Sequence, residues 1–239
     1  LVGAGLYVDG ILKLTDKLTI IPGVRFDLYH QWGETSGSVG PRLTAKYQLI
    51  ERDDDKLFRG TLLKGAVGNY SMAPGYRESA ELFGNPLLTP ENAVHASLGF
   101  EQQIYDALKL DVQGYFIWRY NMVVPTSARR SGQGSPLYYT NQGEGYAYGM
   151  EVLLKHELTK RFYGWIAYTL SESKQQRTPG AEFTNFIFNQ RHIFTLVASA
   201  KVIWGIEAGI RFRLVSGRWD TPILGGIYNN DKGTYEAIT

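Results

Sequence analysis

IEAGIRFRL, residues 206–214, is the stretch whose reading decides the fold. Ile206, Ala208, Ile210, Phe212 and Leu214 fall on one face of an extended chain, and Glu207, Gly209, Arg211 and Arg213 on the other, because strand side chains repeat every two residues. One face suits lipid and the other suits water. LKLDVQGYFIWRYNM, residues 108–122, does the same: Leu110, Val112, Phe116, Trp118, Tyr120 and Met122 oppose Lys109, Asp111, Gln113, Arg119 and Asn121. Strands of about ten residues or more exceed the five or six usual in a soluble sandwich and suit a strand that crosses a bilayer.

Composition fits this reading. The 239 residues include 16 Tyr, 5 Trp and 27 Gly, high for a soluble α/β protein. Hydrophobic residues make up 44% and mean hydropathy is -0.23, yet no run of about 18 apolar residues could cross a bilayer as a helix. In a barrel half of each strand faces water, so average hydropathy stays near that of a soluble protein. The 25 basic and 23 acidic residues are interspersed, and a formal net charge of +2 gives no case for nucleic acid. With no cysteine, disulfides, thiol catalysis and cysteine-ligated metals are excluded.

The alternation predicts about ten strands, at residues 2–14, 18–33, 39–50, 57–71, 93–104, 108–124, 137–158, 161–173, 189–202 and 206–218. Connections 15–17, 51–56, 105–107, 159–160 and 204–205 are tight, and 34–38 is a short polar link. The long connections, 73–92, 125–136 and 174–186, and the tail 220–239 all fall at even places in the series. Pro74, Pro86 and Pro90 with Gly75 and Gly84 make the first of them a loop. That parity puts every long loop on one rim, the extracellular one in a bacterial barrel, with tight turns in the periplasm. A soluble antiparallel sandwich is the rival, and strand length argues against it. Tyr7, Tyr29, Trp32, Tyr47, Tyr70, Tyr105, Trp118, Tyr120, Tyr163, Trp165 and Trp204, near strand ends, are expected at interfacial depth.

No nucleophile elbow, phosphate-binding glycine loop or HExxH segment occurs, so no catalytic residue and no cofactor is expected. His30, His95, His156 and His192 lie on different predicted strands without metal-ligand spacing. Arg52, Asp53, Asp54 and Asp55 lack the spaced ligands and glycine of a calcium loop and read as a solvated turn. Arg25, Asp27, Asp111, Arg119, Glu151, Arg211 and Arg213 are expected to face the lumen. There carboxylates such as Asp27, Glu101, Asp111 and Glu151 would pair with Arg25, Lys155, Arg211 or Arg213. Substrate binding is expected on the long-loop rim, from Tyr76, Arg77, Glu78, Glu81 and Phe83 in one loop and Arg129 and Arg130 in the next. Arg129 and Arg130 suit an anionic chelate; lipopolysaccharide contact or a solvated loop tip is the other reading.

Six segments in order, residues 22–27 (PGVRFD), 63–74 (LKGAVGNYSMAP), 84–91 (GNPLLTPE), 141–154 (NQGEGYAYGMEVLL), 167–173 (AYTLSES) and 216–222 (SGRWDTP), resemble the barrel of TonB-dependent outer-membrane receptors. Residues 189–194 (NQRHIF) stand where those proteins start a late strand. Physical roles for some of these residues are structural. Pro86 and Pro90 would fix an extended approach to a strand, and Gly143, Gly145 and Gly149 would let the wall bend or accept a bulky neighbour.

The resemblance implies an all-β, antiparallel up-and-down transmembrane barrel in the bacterial outer membrane. It implies a non-enzymatic receptor for active uptake of a ferric siderophore, cobalamin or oligosaccharide. Energy would come through a TonB-type protein acting on a plug, and the wall would contact outer-membrane lipid and lipopolysaccharide. The signal peptide, TonB-contact segment and plug of the family are not visible in the sequence. Residues 1–239 therefore read as one domain, an internal slice of a barrel of about 22 strands. A closed ten-stranded barrel, acting as a passive porin-like channel or carrying an adhesin or hydrolase, is the alternative.

Overall fold

The computed structural model describes residues 2–51, 53, 55, 57–81, 84–126, 138–218, 225–229 and 234–238. The elements are β1 (Val2–Asp9), β2 (Leu12–Lys13), β3 (Leu18–Gln31), β4 (Glu34–Ile50), β5 (Gly60–Met72), β6 (Glu91–Tyr105) and β7 (Leu108–Pro125). They continue with β8 (Tyr139–His156), β9 (Phe162–Gln175), β10 (Thr184–Asn185), β11 (His192–Lys201), β12 (Glu207–Val215), β13 (Gly225–Asn229) and β14 (Thr234–Ile238). No helix occurs among them. One sheet runs β1-β3-β4-β5-β6-β7-β8-β9-β11-β12, each strand antiparallel to the next, with β2 added to β3 and β10 to β9. Its order follows the chain, as in an up-and-down barrel wall, and the described sheet is open between β1 and β12.

Antiparallel succession sends connections alternately to two rims, and 73–90, 126–138 and 176–191 all lie on the same one, as their parity requires. The opposite rim is stitched by backbone bonds between neighbouring turns. Gln48 donates to the Lys17 carbonyl at 2.8 Å, Glu157 to that of Ala107 at 2.7 Å and Lys201 to that of Arg161 at 2.8 Å. Lys17 also pairs with Glu51 at 3.1 Å, and that hydrogen bond and charge raise the lysine above its ordinary range.

Several boundaries differ from the sequence expectation for identifiable reasons. The predicted strand 2–14 divides into β1 and β2 opposite Pro22, whose nitrogen cannot donate to the ladder; its carbonyl accepts from Gly10 at 2.9 Å instead. The expected 34–38 link is strand, because Trp32 and Gly33, with φ of 54° and 81°, close β3 onto β4 as a two-residue turn in the left-handed region. Connection 51–59 is longer than the turn expected there, and β5 begins at Gly60. Inside the long loop expected at 174–186, β10 pairs with the end of β9. The tail, expected to be a loop, carries the β13–β14 hairpin.

Register fixes two faces, since directly opposed residues share a side. One row runs Leu18, Tyr47, Leu63, Phe100, Val112, Val152, Tyr168, Phe194, Leu214 across nine strands. Displaced by one residue, the row Thr19, Lys46, Lys64, Gly99, Gln113, Glu151, Thr169, Ile193, Val215 faces the other way. The first face is apolar and exposed at Phe26, Leu43, Val67, Leu98, Phe116, Met150 and Phe212. A water-soluble fold would cover such a patch.

Candidate functional site

Two regions could meet a solute: the polar face and the long-loop rim above it. The seven charges predicted for the lumen, Arg25, Asp27, Asp111, Arg119, Glu151, Arg211 and Arg213, all lie on the polar face by register. Arg25 grips Asp27 two residues on at 2.7 Å. Glu101 and Asp111 do not pair with the arginines expected from sequence. Lys64 lies between them, 3.3 Å from Glu101 and 2.5 Å from Asp111, and Lys109 also binds Glu101. Arg42 pairs with Asp9 at 2.7 Å across the width of β3, and does so because the residue between them is Gly23. A Cβ there would stand 2.0 Å from Asp9 Oδ1. Sequence reading missed Lys64, Lys109, Asp9 and Arg42 as partners because cross-strand contacts depend on register, which pattern alone does not supply.

Arg119 donates to Gln175 Oε1 at 3.2 Å and lies over the Phe186 ring at 5.4 Å. Glu151 edges a recess of about 400 Å³ shared with Tyr70, His95, Gln113 and Tyr115. The Tyr115 hydroxyl packs over Gly149, the bulky neighbour expected of that glycine. Arg211 and Arg213 stand opposite Val197 and Thr195 on the last strand of the sheet. Of the histidines, His30 meets Thr35 at 2.9 Å and His192 meets the Tyr168 hydroxyl at 2.8 Å. His95 packs on Tyr70, and His156 on Phe162 and Tyr105. Among the described residues no group of His, Cys, Asp and Glu could hold a metal ion.

On the rim, loop 73–90 is folded rather than a free tip. Asn85 donates from Nδ2 to the Tyr139 carbonyl at 3.0 Å, and Asn141 receives the Thr89 N–H at 2.8 Å while donating to the Thr89 and Asn121 carbonyls, each at 2.9 Å. Leu88 and Ser79 are buried. Beneath the loop is a cavity of about 120 Å³, lined among others by Tyr29, Gln31, Glu34, Pro74 and Leu87, where Gln31 Oε1 is buried without a described hydrogen-bond partner.

The predicted rim residues divide. Glu78 closes the loop's own turn, accepting from Gly75 N–H at 3.1 Å, so its carboxylate has a structural task. Tyr76, Arg77 and Glu81 are exposed, and Tyr76 packs against Trp32 with ring centroids 4.9 Å apart. Trp32 was not among the predicted rim residues. Its signal is the Trp-Gly pair between alternating runs, which places it at a hairpin tip. Phe83, Arg129 and Arg130 lie outside the described residues.

Aromatics mark depth on the apolar face only in part. Trp118 and Tyr146 stack at 6.4 Å, with Phe183 5.2 Å from Tyr146, near the long loops. Tyr105, His156 and Phe162 cluster near the tight turns. Tyr7, Tyr29, Tyr70, Tyr163 and Trp165, expected in such belts, instead lie on the polar face by register.

An open antiparallel wall with one apolar face and long loops on one rim agrees with the family comparison. A profile described as "TonB dependent receptor-like, beta-barrel" matches residues 3–237. The chain belongs to this family. No curated protein sequence matches it. Among solved structures, the ferripyoverdine receptor of the Pseudomonas aeruginosa outer membrane matches with TM-score 0.71 and 17% identity over 99% of this chain and 30% of that one. The FrpB iron transporter of Neisseria meningitidis gives 0.70 and 15% over 98% and 36%. The ferric-catecholate import receptor Fiu of E. coli K12 gives 0.68 and 15% over 88% and 34%. The chain thus spans about a third of the length of these structures. TonB-dependent receptor barrels are outer-membrane proteins of transport rather than enzymes, as the sequence reading expects.

Proposed function

We propose that this chain is part of the wall of an outer-membrane receptor that takes up a scarce substrate with energy relayed by a TonB-type protein. The observation that carries this reading is the family match over residues 3–237, joined to a wall whose faces segregate lipid-suited from water-suited side chains. Ten strands of open sheet, and coverage of about a third of each solved relative, support a larger barrel of which this is a segment. Of the substrate classes considered, a ferric siderophore is favoured over cobalamin or an oligosaccharide. The matched structures are described as receptors or transporters for iron or its chelates.

Trp32 and Tyr76, with Arg77 and Glu81 beside them, would make first contact on the rim: flat rings supply area at little entropic cost, and Arg supplies charge-assisted hydrogen bonds to a chelate's anionic groups. The polar face below would line the path, with Lys64, Glu101, Lys109 and Asp111 neutralising one another and the exposed Glu151 open to solute or to a plug. Uptake of radiolabelled iron by iron-starved cells producing the whole receptor tests this, with a panel of siderophores and with cobalamin as comparison. Saturable uptake of one siderophore, abolished by collapsing the inner-membrane proton gradient, is expected. Non-saturable entry that ignores the gradient would identify a passive channel instead.

A further inference from the structure

Above the rung that joins Arg42 to Gly68 the wall divides. β4 stays paired with β3 up to Glu34, but no rung ties it to β5 beyond Arg42, so residues 34–41 have a strand on one side only. Asn69 bridges the gap once, from Nδ2 to the Val39 carbonyl at 3.4 Å. Higher up, loop 73–90 takes the place of a strand, and the cavity of about 120 Å³ lies between it and residues 34–36. Tyr29, Gln31, Glu34 and Ser36 line it from the polar face, in the last two rungs of the β3–β4 hairpin. The cavity thus sits at the mouth of the path assigned to solute.

Its two walls are rich in acceptors and poor in free donors. Gln31 Oε1 is buried and receives no hydrogen bond. Glu34 pairs with no cation among the described residues, and no basic residue lines the cavity. On the loop side Pro74 and Pro86 have no N–H to give. The Leu87 N–H goes to Asn85 Oδ1 at 3.1 Å, that of Leu88 to the Asn85 carbonyl at 3.3 Å and that of Thr89 to Asn141 Oδ1 at 2.8 Å. The bonds that fold the loop therefore consume the donors that would otherwise face Gln31. A buried acceptor left in this way is costly, so its donor has to come from outside the fold.

A carbonyl, an unpaired carboxylate and an aromatic ring, set against Pro74 and Leu88, are complementary to a primary ammonium on a short alkyl stem. Such a group offers N–H donors in several directions, a positive charge for Glu34 and methylenes for the apolar wall. The volume admits several water-sized atoms, each needing about 10–15 Å³, and is too small for a whole iron chelate. We infer that this cavity takes an alkylammonium arm of the substrate, while the chelated iron stays outside against Trp32 and Tyr76. This rests on the reading of the chain as a receptor for an iron chelate, and it narrows the substrate to chelates that carry a free amine.

The test is fluorine NMR of the whole receptor in neutral detergent, with fluorotryptophan at Trp32, next to Gln31, as reporter and Trp32→Phe to assign its signal. Propylammonium, propanol and propionate are titrated in turn at constant ionic strength. A saturable shift is expected with propylammonium and with neither of the others. Gln31→Leu should weaken propylammonium about tenfold, as for a lost hydrogen bond to a charged group, and Glu34→Gln about threefold, as for an exposed charge. Gln31→Glu, which puts a carboxylate where the amide stands, should strengthen it. No response, an equal response to propanol or propionate, or one that none of the three variants changes would overturn the inference and leave the cavity to water. The siderophore identified by the uptake panel should compete with propylammonium through a free amine and lose that competition when acetylated. A siderophore without an amine, or one that competes equally once acetylated, would also overturn it. Saturable uptake without propylammonium binding sinks the amine site alone, whereas propylammonium binding without uptake of any siderophore sinks the uptake reading beneath it.

Discussion

Two rows of side chains, one residue apart along the same strands, differ in almost every physical respect. The row through Leu63, Phe100, Val112, Val152 and Phe194 includes two tyrosines, Tyr47 and Tyr168, and no formal charge. The row through Lys46, Lys64, Gln113 and Glu151 is polar and ends on the apolar Ile193 and Val215. The backbone hydrogen bonds of the two rows are equivalent. Their difference resides in the solvent each face meets. A soluble protein would turn the apolar row inward and cover it; here it lies open with Leu98 73% exposed. Hydrocarbon tolerates that exposure, and the ladder satisfies the backbone groups of the strands that have a neighbour on both sides.

The sharpest way to break this comparison is to place the same charge on both faces. Leu98→Arg, in the middle of β6, should cost about 2–4 kcal/mol and block assembly, because a cation near the midplane of the lipid-facing side has no water or partner. Gln113→Arg, on the polar face beside it, should cost less than about 1 kcal/mol. Urea titrations of refolding into vesicles measure both, and equal losses would contradict the assignment of faces. Removing Asn141 comes next. Asn141→Ala deletes the two bonds that join Thr89 of loop 73–90 to β8 and the one that joins β8 to Asn121 of β7, and each is worth about 1 kcal/mol. Cleavage at Arg77 by trypsin on intact cells should accelerate, and an unchanged rate would mean the clamp is not what holds the loop. Lys64→Met should destabilise by about 1 kcal/mol by leaving Asp111 short of its cation. Arg211→Gln, with Val197 opposite, should change stability by less than about 0.5 kcal/mol.

The faces were legible in the sequence because a period of two survives without knowledge of partners. Ile210 and Arg211 declare their sides wherever the strand pairs, and loop parity then fixes the rims. Partner-dependent features were not legible. Pro22 interrupting β1 is visible only once Gly10 is seen opposite it, and the Arg42–Asp9 bridge needs Gly23 between them. The belt residues show the limit most plainly. Tyr70 and Trp118 look alike in sequence, both aromatic and near a strand end, yet register turns Tyr70 to the polar face and Trp118 to the apolar one. In the rim, Glu78 reads as a ligand-facing carboxylate, and its hydrogen bond from Gly75, three residues away, is a local task that the sequence pattern does not show. Trp32 reads as an interfacial aromatic, and its contact with Tyr76 of the next long loop depends on a partner far along the chain that pattern does not supply.

The central claim is that alternate residues of each strand meet lipid and water. These 239 residues hold no cysteine, so single-cysteine variants along β7 label this segment at one site, any cysteine elsewhere in the whole receptor being replaced by serine first. An environment-sensitive fluorophore would be placed in turn at Lys109, Leu110, Asp111, Val112, Gln113, Tyr115, Phe116 and Ile117 of the whole receptor in vesicles. It would be challenged with a lipid-soluble and a water-soluble quencher. Lipid quenching should peak at Leu110, Val112 and Phe116, and aqueous quenching at Lys109, Asp111 and Gln113, with period two throughout. Aqueous quenching at every position, or a profile with no alternation, would contradict it.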